Sequence, residues 1–575
     1  MLAPFQTFGP RSRHFWAKQT VFWRFQTSPK DRGKTIKKER EKDMLRISGL
    51  RLGLDFTEAG LRQAAAKKLR VPEGAIGQVQ LVKKSVDARK KDQVCFVCAA
   101  EVQVEGEARL LAKRKDPGVR LAKPYCYQLP EGPAPAQPPV VVGFGPAGMF
   151  AGLILAQCGQ RPIILERGLP VEERERVVRA FWQSRLLDPE CNVQFGEGGA
   201  GAFSDGKLTT GTGDGRIRKV LEELARAGAP EEILTDAKPH IGTDRLPGVV
   251  QKIRRQILAL GGQVRFSTRL VGLLSQNGRL QGLRVQGPAG EAVIPCGAAI
   301  LAVGHSARDV FALLEREGLP LAAKAFSVGV RIEHPAEQID KAQYGGFAGR
   351  PGLGAADYKL NCRLPGGRGV YTFCMCPGGT VTGAASEPGG VVTNGMSPWA
   401  RDGANSNAAL LVGVGPEDFG GAGPLAGVAF QQKIERAAWR LGGGNYSAPA
   451  QRVEDFLKGR PTLRFGAVQP TYLPGVAAGD VAECLPDFVS GALRQALPLL
   501  GKQLAGFDHP DGVLTAPETR SSSPVRVLRG EDCQSLGLRG LFPCGEGAGY
   551  AGGIISAAVD GIRCAEAVVQ GGKFL

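Results

Sequence analysis

The sequence predicts an α/β protein whose central sheet is assembled from two distant stretches of chain, with a β-rich α+β segment inserted between them and a small α+β module in front. Three observations predict it. Pro139–Gly168 reads as strand, glycine turn, helix and strand; Gly540–Val568 reads as a short strand, a Gly-Glu turn and a helix; and the stretch between them changes to alternating strands rich in glycine.

In the first unit, Val140–Val142 form an apolar strand, Gly143-Phe144-Gly145-Pro146-Ala147-Gly148 the turn, and Met149–Gln157 a helix with apolar residues for the sheet. Ile163–Leu165 are a second buried strand, ending at Glu166 and Arg167. Gly143 permits the tight turn, Gly145 lets the backbone approach a pyrophosphate, and Gly148 lets helix and strand pack closely. The helix start offers unpaired N–H groups and the positive end of a dipole to the phosphates. Glu166, 23 residues after Gly143, is spaced to accept hydrogen bonds from ribose hydroxyls and to repel a 2′-phosphate. The unit therefore predicts a grip on the ADP half of a dinucleotide. Gly413–Asp418 repeats the glycine spacing but ends in an acid with no helix after it, and reads as strand and turn.

Glycine accounts for 81 of 575 residues, about twice the usual ~7%, without a period. That excludes collagen and fits many close backbone approaches, as around a large cofactor. The net charge of +18 raises a nucleic-acid reading, but residues 1–43 hold eleven Lys/Arg against four Asp/Glu, which is +7 of it. The rest is a modest bias that suits a solvated surface better than an RNA groove. Residues 1–43 have no helical or strand period and read as a disordered extension or a mis-called start with Met44 as the true one. A transit peptide, and with it an organellar location, is the alternative to a cytoplasmic protein. No run of ~18 apolar residues is present to span a bilayer.

Residues 44–128 read as the small α+β module: a strand over Leu45–Leu54, a helix over Thr57–Leu69 capped by Thr57, and strands over Gln78–Asp87 and Gln93–Val104 joined by a basic turn. A Pro-rich linker covers 129–138. The cofactor domain then runs over 139–323 and resumes over 525–575, with the inserted substrate domain at 324–524. Within the first part, Arg174–Leu187, Ile217–Ala227 and Gly248–Leu260 read as helices and Gln263–Gly272 and Leu280–Val285 as strands; the apolar strand Ala298–Gly304 ends in Gly304, beside the cofactor.

Thirteen cysteines are scattered along the chain. Cys95 and Cys98 face opposite sides of a strand, and Cys374 and Cys376 the same side; both pairs read as buried small residues, no metal site is predicted, and the usage suits a reducing compartment.

The strand ending in Gly545-Glu546, followed by a helix entered through Gly552, Gly553 and Ile554, resembles the second fingerprint of FAD proteins of the glutathione-reductase structural type. In those proteins the acid bonds the ribityl chain or approaches the pyrophosphate, and the helix aims its N-terminus at the flavin pyrimidine ring, stabilising negative charge there. The whole chain from about Met44 is similar to the bacterial and plastid group of uncharacterised FAD-dependent dehydrogenases. The resemblance is carried by VVVGFGPAGMFAGLILA, NVQFGEGGAGAFSDGKL, PHIGTDRL, LGAADYKL, YTFCMCPGG, SEPGGVVTNGMS, ETRSSSPVR and PCGEGAGYAGGIISAAVDGI. It implies a discontinuous Rossmann-like FAD-binding domain with a β-rich second domain, FAD as cofactor, and no known substrate.

Candidates for chemistry follow. Lys207 in FSDGKL is suited to stabilise an anionic flavin or a substrate carboxylate, with Asp205 as an Asx-turn residue and Glu197 at the flavin edge or capping a turn. His240, with Asp244, is a candidate for proton transfer. Tyr358, Lys359 and Arg520 are substrate-binding candidates, Arg520 as a bidentate carboxylate clamp. A second strand–GxGxxG–helix unit is absent, so NAD(P)H is expected only as a transient donor, and a protein or quinone carrier is the alternative. The function expected is an FAD-dependent oxidoreductase acting on a small molecule or electron carrier. The alternatives are an FAD-dependent RNA-modifying enzyme, from the basic residues Lys83–Lys91, and a flavin-binding regulatory protein without turnover.

Overall fold

Short strands that are apolar on both sides belong in a parallel sheet covered on both faces, and the chain supplies such strands from both of its halves. In the computed structural model, which describes residues 44–113 and 116–571, they form one parallel sheet. Its order is Leu541–Pro543, Ala299–Leu301, Val140–Val142, Ile163–Leu165, Gln263–Arg265, so the strand after the insertion lies at one edge, next to a strand from before it. The expectations for residues 1–43 lie outside the described residues.

The helices Pro146–Gln157 and Ile554–Gly571 cover one face side by side. Their approach is close because Gly561 faces Ala147: a Cβ at 561 would lie 2.1 Å from the Ala147 carbonyl oxygen. The opposite face packs on a three-stranded antiparallel sheet, Arg269–Gln276, Arg279–Gly287 and Gly290–Pro295, and on the helix Arg308–Arg316. The single strand expected over Gln263–Gly272 is therefore two. Ser267 takes a left-handed φ of 49°, and the chain leaves the parallel sheet there to start the antiparallel one.

The insertion is a seven-stranded mixed sheet in the order Asn361–Arg363, Gly369–Cys376, Asn405–Val414, Phe326–Pro335, Val513–Glu518, Ala448–Arg452, Val476–Ala478. Only its last pair is parallel. The helices Ala426–Leu441 and Asp487–Gly501 contribute to its core. The GxGxxD decoy lies at the end of Asn405–Val414 and the turn after it.

The N-terminal module is an antiparallel sheet, Ile76–Asp87, Cys95–Val104, Met44–Leu52, Val119–Leu121, with the helix Glu58–Leu69 packed on it and capped by the Thr57 hydroxyl. The Pro-rich 129–138 stretch is not a free spacer. The Tyr127 hydroxyl donates to Glu566 at 2.6 Å just ahead of it, and Gly132 rests so close to Val569 that a Cβ would meet its carbonyl oxygen at 2.1 Å. No helix among the described residues is long and apolar enough to cross a membrane.

A buried charge cluster joins the two large domains. Glu435 of the insertion accepts from Arg308 (2.8 Å to each oxygen) and from Arg520 (3.1 and 3.0 Å). Burial pushes this carboxyl up, but Arg520 and Arg308 outweigh it and hold the group far below its ordinary value. Its contribution to stability is therefore present at neutral pH and is lost only as pH falls below the ordinary carboxylate value of 4.5. Glu435→Gln leaves the buried Arg520 without its counter-charge and Arg308 with Glu387 alone, at 3.0 Å, and is expected to cost about 3–5 kcal/mol. A fall in urea midpoint at pH 7 that narrows against wild type at acid pH checks it.

Candidate functional site

One cavity of about 730 Å³ runs between the parallel sheet and the insertion and is lined by residues of both halves of the discontinuous domain. Gly143 has φ 96°, and a Cβ there would lie 2.4 Å from the Ala302 carbonyl oxygen, so the turn requires glycine. Gly148 packs against the Gly143 carbonyl, where a Cβ would sit at 1.8 Å. Gly145 differs, because a Cβ would meet nothing nearer than Gly199 at 3.7 Å and would instead enter the cavity. Gly304, Gly552 and Gly553 likewise border open space within the lining. The helix that starts at Pro146 has no side-chain cap, so its first N–H groups are free to face an anion. A glycine cradle, an uncapped helix start and an acid at the end of the second strand fit the diphosphate and ribose of a dinucleotide.

Glu166 does more than the spacing suggested. Its carboxylate accepts from the backbone N–H of Phe144 (2.9 Å), Gly168 (3.0 Å) and Gly196 (2.9 Å). Of about four acceptor sites on a carboxylate, that leaves one for a ribose hydroxyl. The residue thus ties the phosphate turn to the loop carrying Gly196. Arg167 lines the cavity but is held, stacked 4.2 Å from the Phe195 ring and paired with Glu190 (2.9 Å) and Asp309 (3.0 Å). Phe144, Pro146, Ala147 and Ile554 line the same cavity.

The second turn is held from behind. Asp560 accepts from the Gly545 N–H at 2.7 Å and is gripped by Arg529 at 2.9 and 2.6 Å. Glu546 then lies in the cavity wall, its carboxyl pushed up to about 7 by burial against an opposing hydrogen bond from Gly553.

At the end nearest the insertion, the Lys207 ammonium lies 2.9 Å from Asp205, and Arg401 reaches the same carboxylate at 3.0 and 2.5 Å. Burial acts to lower the Lys207 ammonium, but Asp205 holds it above its ordinary value, so it is charged at neutral pH. Asp205 is thus a buried counter-ion rather than an Asx-turn residue; the Gly206 N–H goes to the Ser204 hydroxyl at 3.1 Å. Tyr358 is buried in the wall with its hydroxyl 3.0 Å from His334 Nε2, and Lys359 is exposed on the lining beside it.

Three expectations need correction. His240 and Asp244 do not form a proton-transfer pair: His240 Nε2 donates to the Trp399 carbonyl at 3.1 Å and Asp244 accepts the Trp399 N–H at 2.7 Å. Together they clamp the backbone of Trp399 on both sides of its Cα, and neither lines the cavity. Arg520 does line it, but its fork is spent on Glu435 and its remaining nitrogen on Ser386 at 2.5 Å, so it clamps a carboxylate of the protein itself. Glu197 is fully buried away from the cavity, accepting from the Val171 N–H at the start of the helix Val171–Ser184 (2.8 Å) and from Arg254 (2.8 Å). Sequence reading also missed Arg401 and Cys374 as cavity residues. The i, i+2 cysteine spacing was the available signal for the latter.

The basic stretch of the N-terminal module is largely engaged with protein. Lys84 pairs with Asp236 at 3.1 Å, Arg89 with Asp87 at 2.8 Å, and Lys91 donates to the Gln343 carbonyl.

An uncapped helix start behind one glycine turn, and a second glycine turn that brings Glu546 into the wall of the same cavity, define an FAD-binding flavoprotein. Residues 325–521 match the family described as FAD-dependent protein, C-terminal domain-like, and residues 44–103 match a domain of unknown function. A protein of Clostridium beijerinckii, itself described as uncharacterised, is 46% identical over 529 residues, spanning 92% of this chain and 98% of the relative. The chain belongs to this family of FAD-dependent proteins, and its cofactor is FAD. Among solved structures, the flavin-dependent brominase Bmp2 matches at 13% identity with a TM-score of 0.35, covering 76% of this chain and 80% of that one. The 3-ketosteroid-delta4-(5alpha)-dehydrogenase of Rhodococcus jostii RHA1 matches at 13% with a TM-score of 0.34, covering 77% and 99%. Likenesses of that size carry no argument about chemistry.

Gly145→Val is expected to abolish FAD retention while leaving the melting temperature of the cofactor-free protein unchanged, read by flavin absorbance and calorimetry. Glu546 titrates at about 7, and its ionised form adds negative charge to a site for a diphosphate. FAD affinity should therefore fall as pH rises through 7, and Glu546→Gln should flatten that profile in a fluorescence titration.

Proposed function

We propose that the protein is an oxidoreductase that moves a hydride or an electron pair between its FAD and a small molecule or electron carrier. When bound, FAD supplies two-electron chemistry at N5. The observation that carries the proposal is a single cavity that continues from the nucleotide cradle into residues of the insertion, so a second molecule has room beside the cofactor's ring end.

The chain's own residues have distinct tasks in that scheme. Gly143, Gly145 and the Pro146 helix start hold the diphosphate, and Glu166 orients the ribose. The helix entered through Gly552 and Gly553 presents its N-terminal end to negative charge on the pyrimidine side. Lys207 keeps its proton at neutral pH and supplies fixed positive charge to an anionic substrate or to the reduced cofactor. Asp205 and Arg401 fix where that ammonium stands. Tyr358 and Lys359 supply contacts from the insertion.

NAD(P)H is assigned as a transient visitor of this same cavity, with a reduced carrier as the other donor class. Thirteen free cysteines suit a reducing compartment, and we assign the protein to the cytoplasm.

Purified protein should be yellow with a two-band flavin spectrum, and anaerobic titration with NADH, NADPH and reduced carriers should bleach it with one donor class. Colourless protein that takes up no FAD would overturn the proposal.

A further inference from the structure

Cys374-Met375-Cys376 lies on the strand Gly369–Cys376, in the wall of the cavity opposite the nucleotide cradle. Residues two apart on a strand share a face. Here the ladder with Asn405–Val414 slips between Phe373 and Cys376, and Cys374 takes a left-handed φ of 41°. For a residue with a Cβ that conformation costs on the order of 1–3 kcal/mol and persists only where its surroundings enforce it. Arg331 enforces it: Nη1 donates to the Cys374 carbonyl at 2.9 Å, while Nε and Nη2 fork onto Glu518 at 2.9 Å each.

The result is a matched pair of thiols. Cys376 Sγ lies 3.4 Å from the Cys374 carbonyl oxygen, so its side chain is folded back along the strand toward residue 374. Cys376 is fully buried, whereas Cys374 opens onto the cavity. The charged groups around them are Lys207 with Asp205, Arg331 with Glu518, and Glu546 across the cavity. The neighbouring Cys376 thiol, with Lys207 and Arg331, brings the Cys374 thiol down against burial, and the same pairing sends Cys376 up. Cysteines packed as inert filler behave differently here: burial pushes Cys98 to about 11 and Cys296 and Cys484 to about 12. A low thiol with a high partner in reach is the arrangement in which one sulfur attacks and the other resolves.

We propose that Cys374 and Cys376 form a dithiol–disulfide couple that exchanges an electron pair with the FAD of this cavity, giving the protein a second redox centre. The proposal rests on the flavin oxidoreductase reading above. In the oxidising direction an S–S bond forms between Cys374 and Cys376 as the two S–H bonds break. The electron pair and one proton pass to FAD, and the second proton goes to solvent. In the reverse direction the S–S bond breaks as the sulfurs regain two electrons and two protons.

The test is an anaerobic dithionite titration of air-oxidised, FAD-loaded protein, followed at the flavin band. Wild type should take up about four electrons per FAD and Cys376→Ser or Cys374→Ser about two, since a disulfide and a flavin each accept two. Mass spectrometry of alkylated peptides should find the Cys374–Cys376 peptide unmodified before the titration and doubly alkylated after it. Uptake of about two electrons by wild type overturns the proposal, as does an excess that survives Cys376→Ser or a peptide alkylated at both sulfurs before reduction. Protein that holds no FAD overturns the flavin reading itself along with the couple, and is told apart by the absence of any flavin band.

Discussion

Everything at the cofactor end depends on two glycine contacts that let helices and strands approach beyond what any side chain permits. Gly148 meets the Gly143 carbonyl, and Gly561 meets the carbonyl of Ala147. The first seats the helix Pro146–Gln157 on its strand. The second lays the helix Ile554–Gly571, about 400 residues further on, against that same helix. With both in place, two helix starts open onto one cavity, and the positive ends of their dipoles face it.

The inserted domain is joined to this frame by charge rather than by apolar contact alone. Arg308 stands on a helix of the cofactor domain, Glu435 on a helix of the insertion, and Arg520 on the return from the insertion. The three side chains are buried against one another, with Glu387, Gln431, Ser386 and Thr519 bonded at the edges. Such a cluster adds little net stability, but it tolerates only one alignment of the two domains. The alignment is what brings Lys207 from one domain and Cys374 from the other to the same wall.

How much of this was legible in the sequence follows from the range of the interactions. The glycine turn, its strands and Glu166 were readable because their geometry is decided within some thirty residues, and each glycine answers a local steric demand. Gly545, Glu546 and the helix behind them were readable for the same reason. Arg520 was misread because its partner lies 85 residues away on another element. His240 was misread because a histidine beside an acid suggests proton transfer until Trp399, 159 residues on, is seen to occupy both. The place of Cys374 on the cavity was hidden by a bulge, since strand periodicity does not foresee the register slip between Phe373 and Cys376 or the left-handed backbone at Cys374.

The edge strand Leu541–Pro543 has a consequence for how the molecule is made. It pairs with Ala299–Leu301, about 240 residues earlier, and is followed by Glu546 and the glycines at 552 and 553 in the cavity wall. At typical rates of synthesis those residues take on the order of 10–50 s to emerge. During that interval the strands already made expose a hydrophobic edge with no partner, and the inserted sheet must fold within the gap. The cavity is therefore incomplete until the strand and helix after the insertion have been made. A truncated or stalled product keeps most of the sequence and none of the colour.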